Sequence, residues 1–175
     1  EQGKTVMHLE HRAGERMFID FAGDRLRLID PITGKRTAVE VFVAILPCSQ
    51  LTYVEAVMSQ DKEHLIAACR HALEFFGGAP RIIVPDNLKS AVKKPGRYEA
   101  VINDDFEAFA EHYGCAVVPA RVRRPRDKAL VEDAVRLTYQ RIYPMISDED
   151  AASVELLNAA IRKALEAHNN TPLTG

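Results

Sequence analysis

The sequence has few cysteines, no long apolar run and no segment of low complexity. Its three cysteines, Cys48, Cys69 and Cys115, are odd in number, widely spaced and form no Cys-x-x-Cys pair. This argues against a disulfide framework and a cysteine zinc site, and it favours a reducing compartment. No apolar run reaches the roughly 18 residues that a membrane helix needs, and no signal-peptide pattern occurs. We therefore expect a soluble, intracellular protein with no membrane partner.

The charges are unevenly distributed along the chain. The net charge of −2 by itself gives no hint of a nucleic-acid partner. One basic cluster contains Lys89, Lys93, Lys94 and Arg97, a second runs from Arg121 to Lys128, and residues 148–155 are acidic. Either a solvated surface or a polyanion-binding surface explains such clusters.

The length of 175 residues is that of one domain, and 47% hydrophobic residues are enough for a core. The chain begins at Glu1 rather than Met and ends at HNNTPLTG, so we expect a fragment of a longer protein. We expect residues 1–15 to be an N-terminal arm or linker and residues 16–146 to be the core. Residues 147–175 are expected to supply the C-terminal helix of the core and the start of a linker.

Alternating apolar residues predict three strands at the start of the core. MFIDFAG and RLRLID form the first strand, DPITGK a hairpin turn, residues 37–46 a buried second strand, and LTYVEAVM the third. Short turns between them indicate an antiparallel meander.

The pattern then changes to helices alternating with strands. A helix over residues 62–76, with Asp61 as N-cap and Gly77 after its end, precedes a buried parallel strand in RIIVPD. The remaining elements are a Lys-rich loop, a short helix in NDDFEAFAEHYG, a fifth strand in CAVVP, a helix from about Arg126 to Tyr143, and a helix from Ser147 to about His168. This order predicts an α/β protein with a five-stranded mixed sheet flanked by helices, the order of the ribonuclease H fold.

Two aspartates occupy distinctive places in these elements. Asp20 lies inside the first strand between large apolar residues, and Asp86 directly follows the fourth strand in VPDN. Burying an aspartate is costly unless it is paired or binds a cation. Since the first and fourth strands are neighbours in this topology, Asp20 and Asp86 are predicted to lie side by side. A divalent cation such as Mg²⁺ or Mn²⁺ would relieve their repulsion.

Glu132 lies on the helix after the fifth strand, in RRPRDKALVEDAV. Two interpretations stay open for it. Lys128, Glu132 and Arg136 are spaced i, i+4 and i+8, which is typical of a surface ion-pair ladder. Alternatively, Glu132 is a catalytic acid beside a bound polyanion, and Asp133, about 100° further round the helix, takes no part.

The motifs around these acids resemble those of retroviral-integrase-like DDE transposases. FIDFAG resembles their first-Asp motif, VPDN their second-Asp motif and RPRDKALVE their third-acid segment. The separations of 66 residues (86 − 20) and 46 residues (132 − 86) also fit. GERMFIDFAGD, DPITGK and PDNLKSAV look most like the catalytic domain of IstA-type transposases of bacterial insertion sequences. The resemblance covers the chain from about Glu15 to its end.

The resemblance implies a metal-dependent polynucleotidyl transferase. Asp20, Asp86 and Glu132 would hold two Mg²⁺ (or Mn²⁺) ions on bound DNA, with Asp20 bridging both and the other two each completing one. A water would hydrolyse a phosphodiester at the transposon end, and the freed 3′-OH would then attack target DNA. No covalent protein–DNA intermediate is needed.

The basic residues gain a role in that setting. Lys89, Arg124, Arg126 and Lys128 are predicted to contact the DNA backbone, because they lie close in sequence to Asp86 or Glu132. Tyr139 and Tyr143, spaced i and i+4, are interpreted as core packing rather than base stacking.

The resemblance also implies double-stranded DNA as the partner, in the form of transposon ends and target. A homo-oligomer on DNA, an AAA+ ATPase helper and a bacterial cytoplasmic location, nucleoid-associated on DNA, are implied in the same way. Two other functions stay open. A hydrolytic nuclease of the same fold would share the three acids, whereas a non-catalytic DNA or protein assembly module would need none of them.

Overall fold

The structure is a computed structural model that describes residues 16–86, 92–94, 101–120 and 125–171. Its strands are β1 (Arg16–Phe21), β2 (Leu26–Ile29), β3 (Arg36–Leu46), β4 (Leu51–Val57), β5 (Ile82–Pro85), β6 (Val92–Lys94), β7 (Val101–Ile102) and β8 (Ala116–Val117). Its helices are α1 (Lys62–Phe76), α2 (Asp104–His112), α3 (Pro125–Arg141) and α4 (Val154–Asn169), with short 3₁₀ turns at Tyr143–Met145 and Asp150–Ala152.

Six strands form one mixed sheet. β3 pairs antiparallel with β1 through residues 42–45, with β2 through residues 36–39 and with β4 through residues 40–46. Because β1 and β4 pair with the same part of β3, they lie on its opposite edges. β5 pairs parallel with β1, and β8 pairs parallel with β5. The predicted architecture, an antiparallel meander plus parallel strands flanked by helices, is confirmed.

The first strand is interrupted, which the alternating pattern of residues 16–29 does not predict. β1 and β2 are separated by residues 22–25. The Ala22 N–H still donates to the Val41 carbonyl at 2.8 Å, but the Asp24 N–H donates to the Tyr139 hydroxyl at 3.0 Å. The sheet therefore has six strands rather than five, because a side chain from α3 takes a hydrogen bond at the break.

The two faces of the sheet are covered by different helices. Met17 and Ile19 of β1 belong to the main core cluster together with the buried stripe of α1. Phe18 belongs to a second cluster with Val131 and Ala134 of α3. Since alternate residues of a strand point to opposite faces, α3 covers the face opposite to Met17 and Ile19.

Helix α1 spans the predicted residues. Its buried side chains are Leu65, Ala68, Cys69, Ala72, Leu73 and Phe76. These positions recur every three or four residues and form one apolar stripe. Gly77 ends the helix, because its φ of 86° is left-handed and its N–H returns to the Leu73 carbonyl at 3.0 Å.

The last helix begins later than predicted, and the prediction that Ser147 caps it was wrong. Ser153 is the N-cap of α4, and its Oγ accepts the Leu156 N–H at 3.1 Å. Ser147 instead pairs with Asp150 at the preceding 3₁₀ turn, each side chain accepting the other's N–H. The extended backbone of Ser153 (φ −150°, ψ 162°) prevents one continuous helix.

A second local difference lies in the predicted Lys-rich loop, where β6 and β7 form a short antiparallel pair.

The three cysteines are free, with Cys48 exposed and the other two buried. Burial raises the pKa of Cys115 to about 11 and raises that of Cys69 well above its ordinary value. Over the described ranges, no helix combines the length and the apolar character that a membrane crossing requires.

Strand β4 is an edge strand whose outward backbone groups are bound by α4. The Asn158 side chain accepts the Ala56 N–H at 2.7 Å and donates to the Ala56 carbonyl at 2.9 Å. Asn169 makes the same pair of bonds to Thr52, at 3.1 and 2.9 Å. An uncovered edge strand offers such groups to other chains. The two asparagines therefore fix α4 to the sheet and close part of its edge.

We expect Asn158→Ala to lower the free energy of unfolding by about 1–3 kcal/mol, because a buried backbone donor and acceptor both lose their partner. Urea unfolding followed by circular dichroism measures the change. Asn170→Ala is the matched control, since Asn170 is exposed just after α4, and it should change the value by less than about 0.5 kcal/mol. Equal losses in the two variants would contradict the role given to Asn158.

Candidate functional site

Asp20 and Asp86 lie next to each other on neighbouring parallel strands. In the β1–β5 ladder Ile19 pairs with Pro85, and the two aspartates are the next residues on each strand. The Asp86 N–H donates to the Ile19 carbonyl at 3.1 Å, which extends the parallel pairing one residue past β5. Neighbouring strands are about 4.8 Å apart. The backbone thus holds both carboxylates at the C-terminal end of β5.

Both aspartates lie on the face of the sheet that α3 covers. Phe18 and Val84, two residues before the respective aspartates, belong to the cluster that packs under α3. Residues two apart on a strand share a face. One carboxylate oxygen of Asp20 accepts the Phe21 N–H at 2.8 Å, which restricts the orientation of the group.

The chemistry of this pair fits a hard divalent cation. Both residues are half-buried, and they directly follow a pair of neighbours in the β1–β5 ladder. Carboxylate oxygens are the ligands that Mg²⁺ and Mn²⁺ prefer. In the part of the chain that the structure describes, no group of three or more His, Cys, Asp or Glu side chains is arranged to hold a metal ion. The pair therefore fits as one portion of a metal site that needs a third ligand to move in.

Contacts at both ends fix α3 along β1. Near the start of α3, Asp127 accepts from Arg16, the first residue of β1, at 3.3 Å. Near its end, the Tyr139 hydroxyl accepts the Asp24 N–H, and just past α3 the Tyr143 hydroxyl donates to the Asp24 carbonyl. Helix α3 therefore runs in the same direction as β1.

Glu132 lies on the flank of α3 that carries Tyr139. The two residues are seven positions apart, so their side chains leave the helix within about 20° of each other. Asp20 is midway between Arg16, at the start of β1, and Asp24, just past its end, and residue 133 is midway between the anchored positions 127 and 139 of α3. Glu132 is therefore nearly level with Asp20.

The Glu132 side chain is 64% exposed. Its ion pair with Lys128 is long, at 3.9 Å, and such exposed helical pairs contribute only about 0.2–0.5 kcal/mol. The structure does not bring Glu132 together with the aspartates, but little holds its side chain away from them.

The surface-ladder interpretation of Glu132 is supported only in part. Lys128 pairs with Glu132, but Arg136 bonds Asp133 and Gln140 on the other flank of the helix. Asp133, one residue after Glu132, is therefore occupied by Arg136 and faces away from the flank that carries Tyr139.

The predicted DNA-contacting residues are only partly covered by the structure. Arg126 and Lys128 are exposed in the first turns of α3, and the Lys128 side chain is 61% exposed. Lys89 and Arg124 lie outside the described residues. Arg126 and Lys128 are therefore accessible to a ligand that approaches α3 from solvent.

Ala120 is the last described residue before the basic stretch. Its N–H donates to the Pro85 carbonyl at 3.1 Å. Pro85 immediately precedes Asp86, so Ala120 lies close to the aspartate pair.

Tyr139 and Tyr143 do more than pack, which the sequence does not reveal. Their rings make the expected contact, edge to face at 5.1 Å. Their hydroxyls, however, hold both backbone groups of Asp24 and so position α3 on β1. The i, i+4 spacing signals a pair of rings, but no local pattern points to a partner more than a hundred residues away.

The chain is similar to bacterial insertion-sequence transposases. Residues 10–125 match the family profile described as "Integrase core domain". Over 97% of its length the chain is 38% identical to a putative transposase for insertion sequence IS1162 from Pseudomonas fluorescens. Over 91% of its length it is 41% identical to the putative transposase y4bL/y4kJ/y4tB from Sinorhizobium fredii. The chain spans 30% and 31% of these two relatives, about a third of their length.

The fold is similar to that of retroviral integrase cores. The catalytic core domain of BIV integrase aligns with a TM-score of 0.65 at 13% identity, over 93% of this chain and 88% of that one. The HTLV-2 integrase catalytic core domain in complex with magnesium aligns with a TM-score of 0.57 at 18% identity, over 93% and 91%. These likenesses show the fold, and the predicted ribonuclease H-like fold is confirmed.

Tyr143 supplies a test of how α3 is positioned. Burial raises the pKa of Tyr143 above its ordinary value, so the folded state favours the neutral phenol. That contribution to stability is complete below the unfolded-state pKa of about 10 and is lost as the pH rises above it. We expect Tyr143→Phe to lower the free energy of unfolding by about 1 kcal/mol at neutral pH, since the bond to Asp24 is lost. The variant should also lose less stability than the wild type between about pH 10 and pH 11.

Urea unfolding across this pH range measures both effects. Tyr113→Phe is the matched control, because no hydrogen bond of its hydroxyl occurs among the described residues, and it should keep both the stability and the alkaline decline. A Tyr143→Phe profile that runs parallel to the wild type would contradict the role of this phenol.

Proposed function

The chain belongs to the integrase core domain family, and from this we propose that it is the catalytic domain of a DNA transposase. The proposed activity is hydrolysis of phosphodiester bonds at transposon ends, followed by transfer of the freed 3′-OH strands into target DNA. The observation that carries it is the adjacent pair Asp20 and Asp86 on the face covered by α3. Glu132 is nearly level with Asp20, on the flank of α3 that carries Tyr139.

The three carboxylates have distinct proposed roles. Asp20, inside β1, would be shared between two ions, while Asp86 and Glu132 would each complete the ligands of one. Two bound Mg²⁺ or Mn²⁺ ions would activate the attacking oxygen and stabilise the leaving one. Asp20 and Asp86 are set by the backbone, whereas Glu132 has to rotate away from Lys128. The site would therefore be completed when DNA and cations are present together.

The reaction needs no covalent link to the protein. A water attacks the phosphorus at the transposon end, and the bond to the leaving oxygen breaks to give a free 3′-OH. That 3′-OH then attacks a phosphodiester of the target, and a target 3′-oxygen leaves. The protein holds the DNA while this occurs, and we propose that Lys89, Arg124, Arg126 and Lys128 contact its phosphates.

The partners follow from the same proposal. The DNA is double-stranded, and joining two ends to one target requires several copies of the catalytic domain on it. The AAA+ ATPase helper stays an expectation from the family resemblance, and the division into residues 1–15, 16–146 and 147–175 stays a prediction from the sequence. The nucleoid is the corresponding site of action.

We expect Asp20→Asn, Asp86→Asn and Glu132→Gln each to lower Mg²⁺-dependent strand transfer by at least roughly 100-fold, because each removes a charged ligand worth several kcal/mol in the transition state. The measurement uses the full protein, labelled transposon-end oligonucleotides and a plasmid target. Asp133→Asn is the matched control: Asp133 lies one residue from Glu132 but bonds Arg136, and its variant should keep activity within about threefold of the wild type.

The same assay separates the other two functions. Cleaved oligonucleotide that depends on all three acids, with no product joined to the plasmid, would indicate a hydrolytic nuclease. Full activity in all three acid variants would indicate an assembly module and would overturn the proposed catalytic site.

A further inference from the structure

The far end of the hairpin formed by β2 and β3 extends beyond the body of the protein, whereas Leu26, Leu28 and Val39 pack its base on the main core cluster. Every residue from 31 to 38 is exposed, including the first three residues of β3, and burial begins only at Val39. Alternate residues of a strand point to opposite faces, so this part of β3 is uncovered on both faces. We call residues 26–39 the projecting hairpin. An ion pair between Arg25 and Glu40, at 3.2 Å, lies at its base.

The tip of the projecting hairpin is held in one conformation despite its exposure. One carboxylate oxygen of Asp30 accepts the N–H groups of Ile32 and Thr33, at 2.8 and 3.1 Å. The Gly34 N–H donates to the Asp30 carbonyl at 2.8 Å, and the Asp30 N–H donates to the Lys35 carbonyl at 2.9 Å. These bonds lower the pKa of Asp30, so the carboxylate stays ionised and engaged with the tip.

This ordered tip presents an isoleucine to solvent. Ile32 is 93% exposed, the most exposed of the large apolar residues in the described part of the chain. An apolar side chain on a preorganised turn binds a partner with little loss of conformational entropy. The ordering of the turn therefore suits Ile32 to make a contact outside this chain.

The flanks of the projecting hairpin are basic. Ala38 pairs with Arg27, and Ile29 pairs with Arg36, so the two arginines share one face. Lys35 precedes Arg36 next to the tip. Among the described residues, no carboxylate lies within ion-pair distance of either arginine or of Lys35. The charges of these three residues are thus available to an anionic partner, although the whole chain has a net charge of −2.

We propose that the projecting hairpin is a DNA-binding arm, in which Arg27, Lys35 and Arg36 contact phosphates and Ile32 enters a groove. The proposal rests on the proposed function, since it assigns the arm to the DNA on which the carboxylates act. A two-stranded ribbon fits the major groove of B-DNA, where apolar side chains contact the thymine methyl group. A protein partner would match Ile32 equally well but leaves the three exposed cations unexplained.

The arm follows the candidate site along β3. β2 continues in the direction of β1, so twelve residues separate Asp20 from the tip at Ile32. An extended chain of that length spans at most about 40 Å, which corresponds to about 12 base pairs at 3.4 Å each. Asp20 pairs with Val43, whereas Arg36 and Ala38, which lie opposite Ile29 and Arg27, point to the other face of β3. The arm would therefore contact DNA that continues past the site, within about 12 base pairs of the phosphate at Asp20, and not that phosphate itself.

The salt dependence of DNA binding tests the phosphate contacts. The probe is a fluorescent double-stranded oligonucleotide titrated with the full protein at several salt concentrations. For the triple variant R27A/K35A/R36A we expect the slope of log K against log [salt] to become shallower by about 2.7, which is 0.9 for each of three phosphates. The equal-charge control R70A/R81A/K163A removes three exposed cations elsewhere and should keep the wild-type slope. Equal slopes in the two triple variants would overturn the proposal, provided that thermal unfolding shows both to be folded.

Crosslinking from position 32 identifies the partner. With a photoreactive phenylalanine in place of Ile32, illumination of the protein–DNA complex should give a covalent product with the oligonucleotide. Crosslinks only to protein would overturn the proposal in favour of a protein partner. The Asp20→Asn variant separates this result from the proposed function. A DNA crosslink that persists in this variant, without strand transfer, supports the arm independently of the catalytic site. Normal strand transfer without a crosslink, in the protein that keeps Asp20, refutes the arm and leaves the proposed function intact.

Discussion

The parallel pairing of β1 with β5 is the constraint on which the candidate site depends. It places Asp20 and Asp86 on neighbouring strands and on the same face of the sheet. The sheet does not require acids at these positions, because Phe18 and Val84, the preceding neighbours on the same face, are uncharged. Carboxylate oxygens placed side by side are ligands that suit a hard divalent cation. The pair therefore makes physical sense as a site for cations and phosphate rather than as a stabilising element.

Local patterns predict those parts of the fold that depend on neighbouring residues. The stripe of α1 and the closing Gly77 need only the periodicity of one helix, and the apolar run before Asp86 needs only the composition of one strand. The adjacency of the two aspartates follows from strand order. The interruption after β1 could not be predicted, because it depends on the Tyr139 hydroxyl from a distant helix. The start of α4 was misplaced because two serines six residues apart both resemble caps, and only the backbone of Ser153 distinguishes them.

The interruption at Asp24 connects the two functional proposals. On one side of it, Tyr139 and Tyr143 anchor α3 and bring the flank that carries Glu132 over β1. On the other side, β2 begins the projecting hairpin. One short segment thus sets the position of the third acid and the base of the arm. The aspartates are fixed by the sheet, whereas Glu132 and the arm are exposed, which suits groups that meet DNA from solvent.

The most direct test of this account is a crystal structure of the protein soaked in Mn²⁺, with the cations located by anomalous scattering. The account predicts a peak about 2.1 Å from carboxylate oxygens of both Asp20 and Asp86. Mn²⁺ bound at other residues, with the space between the two aspartates empty at saturating concentration, would contradict it.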